Sequence, residues 1–405
     1  MKILVWNIKF FSKNRIVGQT ATGYSTVENA SRTKNDAARA LQSLTYIRST
    51  VSRTDPDIFV VVEPRASAGT PGTLADSDSG GPAGLILLLA HLRATLSATW
   101  CLVPPLRINS TRTDPIDKGS QYTECIGVFW RSDRLTFTGP WQNTASGARP
   151  AGVLPAIVYA PPWDAVVPAL TTFAGQCLFQ DQTKNEPAFV GFPLPTSRLP
   201  FRTTFTEIGG TARLIDLYSL HLDTHEGALA ATALLKLPFS ETHNKLTVIA
   251  GDFNVDISGM TTMEGTAMNS LDEFFVQLYP GPATYVLGKG NRYPPTIVKS
   301  GPEADPGSYA KKATYDYGLV HYSAGAVPVG QTCQVIDRVA GTPDFVGRGM
   351  SYALKDFTRP EDPIPLDIFR NRVNYAKIGT PAVLASSPAV LADGTSDHLP
   401  ILVTV

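Results

Sequence analysis

The sequence has no excess of either charge: Lys and Arg total 35 and so do Asp and Glu, so no molecule-wide positive field gathers polyanions and any phosphate site has to be local. Neutrality weakens a nucleic-acid reading without excluding it, because an enzyme that cuts and releases needs only a few phosphate contacts at its cleft. The four cysteines (Cys101, Cys125, Cys177, Cys333) show no CxxC spacing, which excludes a zinc ribbon and a thioredoxin-type motif. Their even number permits disulfides without requiring them. No apolar run approaches the roughly 18 residues of a membrane helix. The longest, Leu85 to Leu89, is followed by His91 and Arg93 and reads as a core helix, so no stable membrane insertion is expected. Met1 leads straight into the strand-like KILVW, without the charged start, apolar stretch and cleavage site of a signal peptide. As written the chain reads as cytoplasmic, or as secreted if it is a trimmed mature form. Internal repeats and low-complexity tracts are also missing.

What is present is a folding composition, with 43% apolar and 17% charged residues. Length alone suggests roughly two to three domains. Short runs rich in β-branched and aromatic residues recur at Ile3 to Trp6, Ile58 to Val62, Ile126 to Trp130, Leu214 to Leu220, Leu246 to Ala250, Tyr317 to Val320 and Ile401 to Val405, and predict strands. Ala37, Leu41, Leu44, Ile47 and Val51 recur at helical spacing until Asp55-Pro56-Asp57 stops the helix. Further helices are expected at about Glu226 to Leu235 and Met263 to Leu278. Strands mixed with helices indicate an α/β class. The Gly-, Pro- and Ser-rich stretches at about 66–82, 103–120, 139–200 and 280–312 read as surface loops and short hairpins.

Seven segments place polar residues at a strand end, where an open α/β sheet presents groups to a ligand. They are VWN with Asn7, VVVEP with Glu63, YTECIGVFWR with Glu124, LYSLHLD with His221, VIAGDFNVD with Asp252 and Asn254, YDYGLV with Asp316, and GTSDHLP with Asp397 and His398. Each alone is weak. Taken singly, Glu63 reads more readily as the first exposed residue past a strand, Asn7 as a turn former, Asp316 as a loop cap and Glu124 as an outward residue of a half-exposed strand, while each histidine could be a satisfied structural one. GDFN says more, because the turn after VIA projects Asp252 and Asn254 from one strand end.

Taken in order, the series WN, E, aromatic strand, H, GDFN, YD and SDH resembles the motif series of the endonuclease/exonuclease/phosphatase superfamily, over Trp6 to His398. The resemblance implies a four-layer α/β sandwich, two mixed β-sheets packed face to face with helices outside and the site at one edge. A site drawn from both ends of the chain overrides the length estimate: one domain over 1–405 is expected, with long insertions at about 66–120, 139–200 and 280–312. YTECIGVFWR is similar to the strand of the deoxyribonuclease I-like branch that carries Tyr-x-Glu. On that resemblance Glu124 orients His221 and Asp316 orients His398, giving two carboxylate-histidine pairs. Arg65, and Arg198 in SRLPF, would hold substrate phosphates, and Tyr122 would lie against sugar or base. Val62 and Pro64, around Glu63, depart from the branch's usual pattern, and 139–200 is longer than in its compact nucleases.

Hydrolysis of a phosphodiester needs positive charge on the non-bridging oxygens, a deprotonated water and a proton for the leaving oxygen. Asn7, Glu63 and Asp397 are hard oxygen donors suited to Mg²⁺, Mn²⁺ or Ca²⁺. Two imidazoles with carboxylate partners divide the acid and base roles, His398 with Asp316 as base and His221 with Glu124 as acid, an assignment that reverses equally well. Asp252 and Asn254 would position phosphate and water. DNA is the expected substrate and partner. A lipid, sphingomyelin or inositol-phosphate head group is the alternative, and an inactive binding module the remote one.

Overall fold

The computed structural model describes residues 1–17, 37–109, 123–137, 141–144, 147–150, 163, 198–209, 212–222, 246–255, 276–278, 298–299, 310–311, 314–322, 330–336 and 398–405. Its strands are β1 (Lys2–Phe11), β2 (Ile58–Ala66), β3 (Trp100–Val103), β4 (Thr123–Glu124), β5 (Gly127–Arg131), β6 (Leu135–Phe137), β7 (Trp141–Thr144), β8 (Gly147–Pro150), β9 (Phe201–Glu207), β10 (Leu214–His221), β11 (Leu246–Asp252), β12 (Val276–Leu278), β13 (Val298–Lys299), β14 (Ala310–Lys311), β15 (Asp316–His321), β16 (Thr332–Val335) and β17 (Ile401–Thr404). The helices are α1 (Lys13–Val17), α2 (Ala37–Thr54) and α3 (Gly80–Thr95).

Two mixed sheets hold most of these strands. The first has the order β16-β17-β1-β2-β5-β3, with β4 also paired to β2; the second has the order β12-β15-β11-β10-β9-β6. Each contains one parallel pair, β1 with β2 and β10 with β11, flanked by antiparallel neighbours. Pairs β7-β8 and β13-β14 form two-stranded ribbons inside the stretches read as loops and hairpins.

Alternation along the strands fixes which faces meet. Trp130 of β5 packs against Phe137 and Phe205 of the second sheet, with ring centroids 5.4 and 6.0 Å away. At Gly318 of β15 an added Cβ would stand 3.2 Å from the Val403 side chain of β17, so the sheets touch face to face there as well. On the opposite face of the first sheet, Gly127 leaves room for Leu85 of α3, and Trp6 meets Tyr46 of α2 edge-on at 5.0 Å. The strands are therefore buried on both sides, which is why IFVVV and WCLV read as continuous apolar runs. The Leu85 to Leu89 run is indeed a core helix, and among the described residues no helix is long and apolar enough to cross a membrane.

One expectation is overturned. Val276–Leu278, read as the end of a helix from Met263, is strand β12, with Val276 opposite Val320 and Leu278 opposite Gly318. The outer edge of β15 otherwise presents open N–H and C=O groups, and this short ladder satisfies them where a helix end would not. The rest of that segment, and the helix expected at 226–235, lie outside the described residues. Cys101, Cys125 and Cys333 are buried free thiols.

Candidate active site

Register brings the chemistry-bearing residues to one edge. Because β10 and β11 are parallel, both end there, and antiparallel β15 begins there, so His221 sits opposite Asp252 and Asp252 opposite Asp316. In the first sheet β1 and β2 end at the same edge, with Asn7 opposite Val62 and Glu63 next in line. Glu124 in β4 and His398, three residues before β17, complete the group. Between β10 and β11, a Cβ on Gly251 would lie 2.1 Å from the Leu220 carbonyl oxygen, so this approach of the two strands requires glycine.

Both sheet-one strands that end here are irregular. Val61 pairs with Gly127 but Arg65 pairs with Glu124, so four steps along β2 face three along its partner: one extra residue, a bulge. Glu63 lies in it with φ 68°, a left-handed conformation that costs a non-glycine residue of order 1–3 kcal/mol. The same irregularity divides YTECIGVFWR into β4 and β5 at Cys125 and Ile126. In β1, the four steps from Asn7 to Phe11 face two steps from Val62 to Pro64, and Phe10 has φ 54°.

The centre is nearly symmetric. His221 Nδ1 is 2.7 Å from Glu124 Oε2, and His398 Nδ1 is 2.9 Å from Asp316 Oδ2. The Nε2 atoms of both rings then lie 3.7 Å from one atom, Asp252 Oδ2. That oxygen also accepts a 2.8 Å hydrogen bond from Asn7 Nδ2, while Asp252 Oδ1 accepts the Asn254 N–H at 2.9 Å. Asn254, with φ 50°, donates its side-chain amide to the Leu222 carbonyl at 2.6 Å, tying the ends of β10 and β11. Each carboxylate-histidine pair crosses between the sheets: Glu124 comes from the first and His221 from the second, Asp316 from the second and His398 from the first-sheet side.

Glu124 is wholly buried, and burial alone would raise its pKa; the Arg198 guanidinium and His221 outweigh that and hold it down at about 2. Burial and Arg198 both oppose a proton on His221, yet the charge and hydrogen bond of Glu124, with Glu63 behind them, lift its pKa above the ordinary imidazole value. A carboxylate kept charged thus favours the protonated form of its histidine.

Two triads bring one ligand atom each within 4.8 Å of one another: Glu63 with Glu124 and His221, and Asp252 with Asp316 and His398. Among these, the Glu63 carboxylate is the one that a backbone bulge delivers. The Glu63 carboxylate and the Asn7 carboxamide oxygen, both from β-strand ends at this edge, would offer hard oxygen donors of the kind a divalent cation such as Mg²⁺ takes.

Of the residues expected to touch substrate, Arg65 lies with its Cζ 3.8 Å from the centroid of the Phe10 ring. Arg198 lies against Glu124, with Nη2 donating to Oε1 at 3.0 Å and Nε 3.0 Å from Oε2. Tyr122 and Asp397 lie outside the described residues. Three neighbours escaped the sequence reading. Asn109 Oδ1 accepts the Glu124 N–H at 2.7 Å, Trp6 Nε1 donates to the His398 carbonyl at 2.9 Å, and Phe10 underlies Arg65. Trp6 stood inside the WN motif but was given no role of its own; nothing in the sequence around Asn109 or Phe10 marks them.

A sequence model described as Endonuclease/Exonuclease/phosphatase family matches residues 4–398. No curated protein matches the chain. Among solved structures, an endonuclease/exonuclease/phosphatase family protein from Leptotrichia buccalis is 15% identical, covers 100% of this chain and 98% of its own, and has a TM-score of 0.44. A mannosyl-6-phosphatase from Bacteroides thetaiotaomicron is 12% identical over 100% of this chain and 98% of its own, with a TM-score of 0.43. D. rerio TDP2 complexed with single strand DNA product is 12% identical over 100% and 97%, with a TM-score of 0.41. The family match takes in every strand end that contributes to this centre, from Asn7 to His398, and the chain belongs to the endonuclease/exonuclease/phosphatase family of phosphoesterases.

Proposed function

We propose that the protein is a divalent-metal-dependent phosphodiester hydrolase that cuts DNA as an endonuclease, with 1–405 acting as one catalytic domain. The observation that carries this reading is the pair of Nε2 atoms, each backed by a carboxylate on Nδ1 and each 3.7 Å from Asp252 Oδ2. Two such imidazoles facing one point suit a reaction that takes one proton and gives another.

Asn7 and Glu63, with Asp397, would hold Mg²⁺ or Mn²⁺, which supplies positive charge to the non-bridging oxygens and orients the phosphate. His398 Nε2 takes the proton of the attacking water as the new P–O bond forms, and Asp316 stabilises the resulting imidazolium. His221, whose protonated form the Glu124 carboxylate favours, gives its proton to the leaving oxygen as the old P–O bond breaks. Asp252 and Asn254 fix the phosphate and the water between the two rings. Arg65, level with Glu124 across β2 and β4, would meet a substrate phosphate that flanks the scissile one, as a polynucleotide supplies.

The test is nicking of supercoiled plasmid with Mg²⁺ or Mn²⁺ and with chelator. Metal-dependent nicking is expected, with His398→Ala lowering turnover by roughly 10²–10⁴-fold while circular dichroism is unchanged. Intact plasmid under every metal, together with hydrolysis of a phospholipid or inositol phosphate, would overturn the DNA reading.

A further inference from the structure

We infer that Phe10 is a positioning residue for Arg65, and that the strained turn of β1 exists to put an aromatic face under that guanidinium. The inference rests on the reading of Arg65 as a substrate-phosphate ligand and deepens it. A free arginine has several rotatable bonds and would lose much of its freedom on meeting a phosphate. One already held over a ring face keeps its fork closer to a fixed direction before substrate arrives.

Three observations converge on this pair. Arg65 Cζ is 3.8 Å from the centroid of the Phe10 ring. Phe10 is an aromatic residue at φ 54°, in the segment where four steps of β1 face two of β2; left-handed backbone is rare for a bulky side chain and persists only where its surroundings enforce it. Helix α3 supplies that enforcement to both halves of the stack. An added Cβ on Gly81 would stand 2.5 Å from the Arg65 carbonyl oxygen and 2.6 Å from its nitrogen, and one on Gly84 would stand 2.8 Å from the Lys13 nitrogen. The glycines of GGPAG therefore let the helix press directly on the backbone of Arg65 and on the chain just after Phe10. Nothing about packing alone asks for a strained aromatic here, since Phe10 is itself only partly buried while the adjacent Phe11 fills the core.

The test compares wild type, Phe10→Leu, Phe10→Tyr, Arg65→Ala and the Phe10→Leu/Arg65→Ala double variant on a fluorescent DNA duplex with Mg²⁺. Leucine keeps apolar bulk at the same backbone angles but has no π face. Phe10→Leu is expected to raise KM about 2- to 5-fold, the worth of one exposed cation–π contact, with kcat held. Tyrosine restores the wild-type KM, and in the Arg65→Ala background Phe10→Leu adds nothing. A purely structural Phe10 would instead lower melting temperature and leave KM alone. Arg65→Ala with a raised KM beside a normal Phe10→Leu overturns the inference, as does an additive double variant; a normal KM for Arg65→Ala removes the phosphate role and the inference with it. The Arg65 Nε–H proton resonance supplies a readout free of substrate. It is expected upfield in wild type and Phe10→Tyr through the ring current, and shifted back in Phe10→Leu. An unchanged resonance overturns the positioning. A wild-type protein that leaves all DNA intact refutes the nuclease reading separately, and the resonance still decides how Arg65 is held.

Discussion

Replacing Arg198 with methionine separates two roles for that side chain that predict different measurements. If its guanidinium serves a substrate phosphate, Arg198→Met raises KM and leaves the fold alone. The geometry predicts otherwise. Arg198 is 8% exposed and contacts both oxygens of Glu124, which is 0% exposed. Removing Arg198 leaves the buried Glu124 charge with His221 but short of its guanidinium, and a buried pair that loses one partner costs about 3–5 kcal/mol at most. At about 2.1 cal/mol/K per residue, unfolding all 405 residues carries about 0.85 kcal/mol/K, so the expected fall in Tm is at most about 4–6 °C. The pH dependence has a definite sign. Glu124 is depressed from 4.5 to about 2, so its contribution is complete above pH 4.5 and is lost as pH falls through about 2. The gap between wild type and variant should therefore be widest near neutrality and close between those values. Pairing Arg198→Met with Glu124→Gln removes the stranded charge and should recover most of the lost Tm while leaving the enzyme inactive. Thermal melts at neutral pH and at pH 3, with KM measured alongside, decide it: an unchanged Tm with a raised KM would refute the argument and return Arg198 to the substrate.

Three further outcomes are expected. Gly251→Ala forces a methyl group onto the Leu220 carbonyl and should destabilise by about 1–3 kcal/mol in chemical denaturation, with activity falling further as His221 and Asp252 lose register; a neutral substitution would mean that β10 and β11 separate freely. Trp6→Phe leaves the His398 carbonyl without its indole donor, costing about 1–3 kcal/mol, and should lower kcat more than it raises KM; equal changes in both would count against a positioning role. Glu63→Gln should raise the Mg²⁺ concentration for half-maximal activity by about 10–100-fold, the range seen even for groups one step removed from a metal, and wild-type metal dependence would exclude Glu63 as a ligand.

How far the sequence reached depended on whether the signal was local. The strands, the α3 core helix and the ordered polar residues at strand ends were legible because alternation and apolar runs report burial directly. The bulge at Glu63 was not, since VVVEP reads as a plain strand end and its extra residue appears only in the pairing with β4 and β5. Nor could SRLPF say whether its arginine meets a phosphate or a carboxylate, because Glu124 lies 74 positions away along the chain. Asn109 and Phe10 act through a backbone N–H and a ring face, and neither contact leaves a pattern in composition. Val276–Leu278 misled because an apolar triplet fits a helix end and a short edge strand equally well.

The crossing of both histidine pairs between the sheets makes docking of the two halves a precondition for chemistry. On the proposed roles neither sheet alone would contain a complete acid or base: each holds one member of every couple, and the Asn7–Asp252 contact repeats the pattern. On that reading a partly folded chain with one sheet formed would be inert, whatever that sheet's own stability. Catalytic rate, on that reading, would gauge how tightly the two layers are closed.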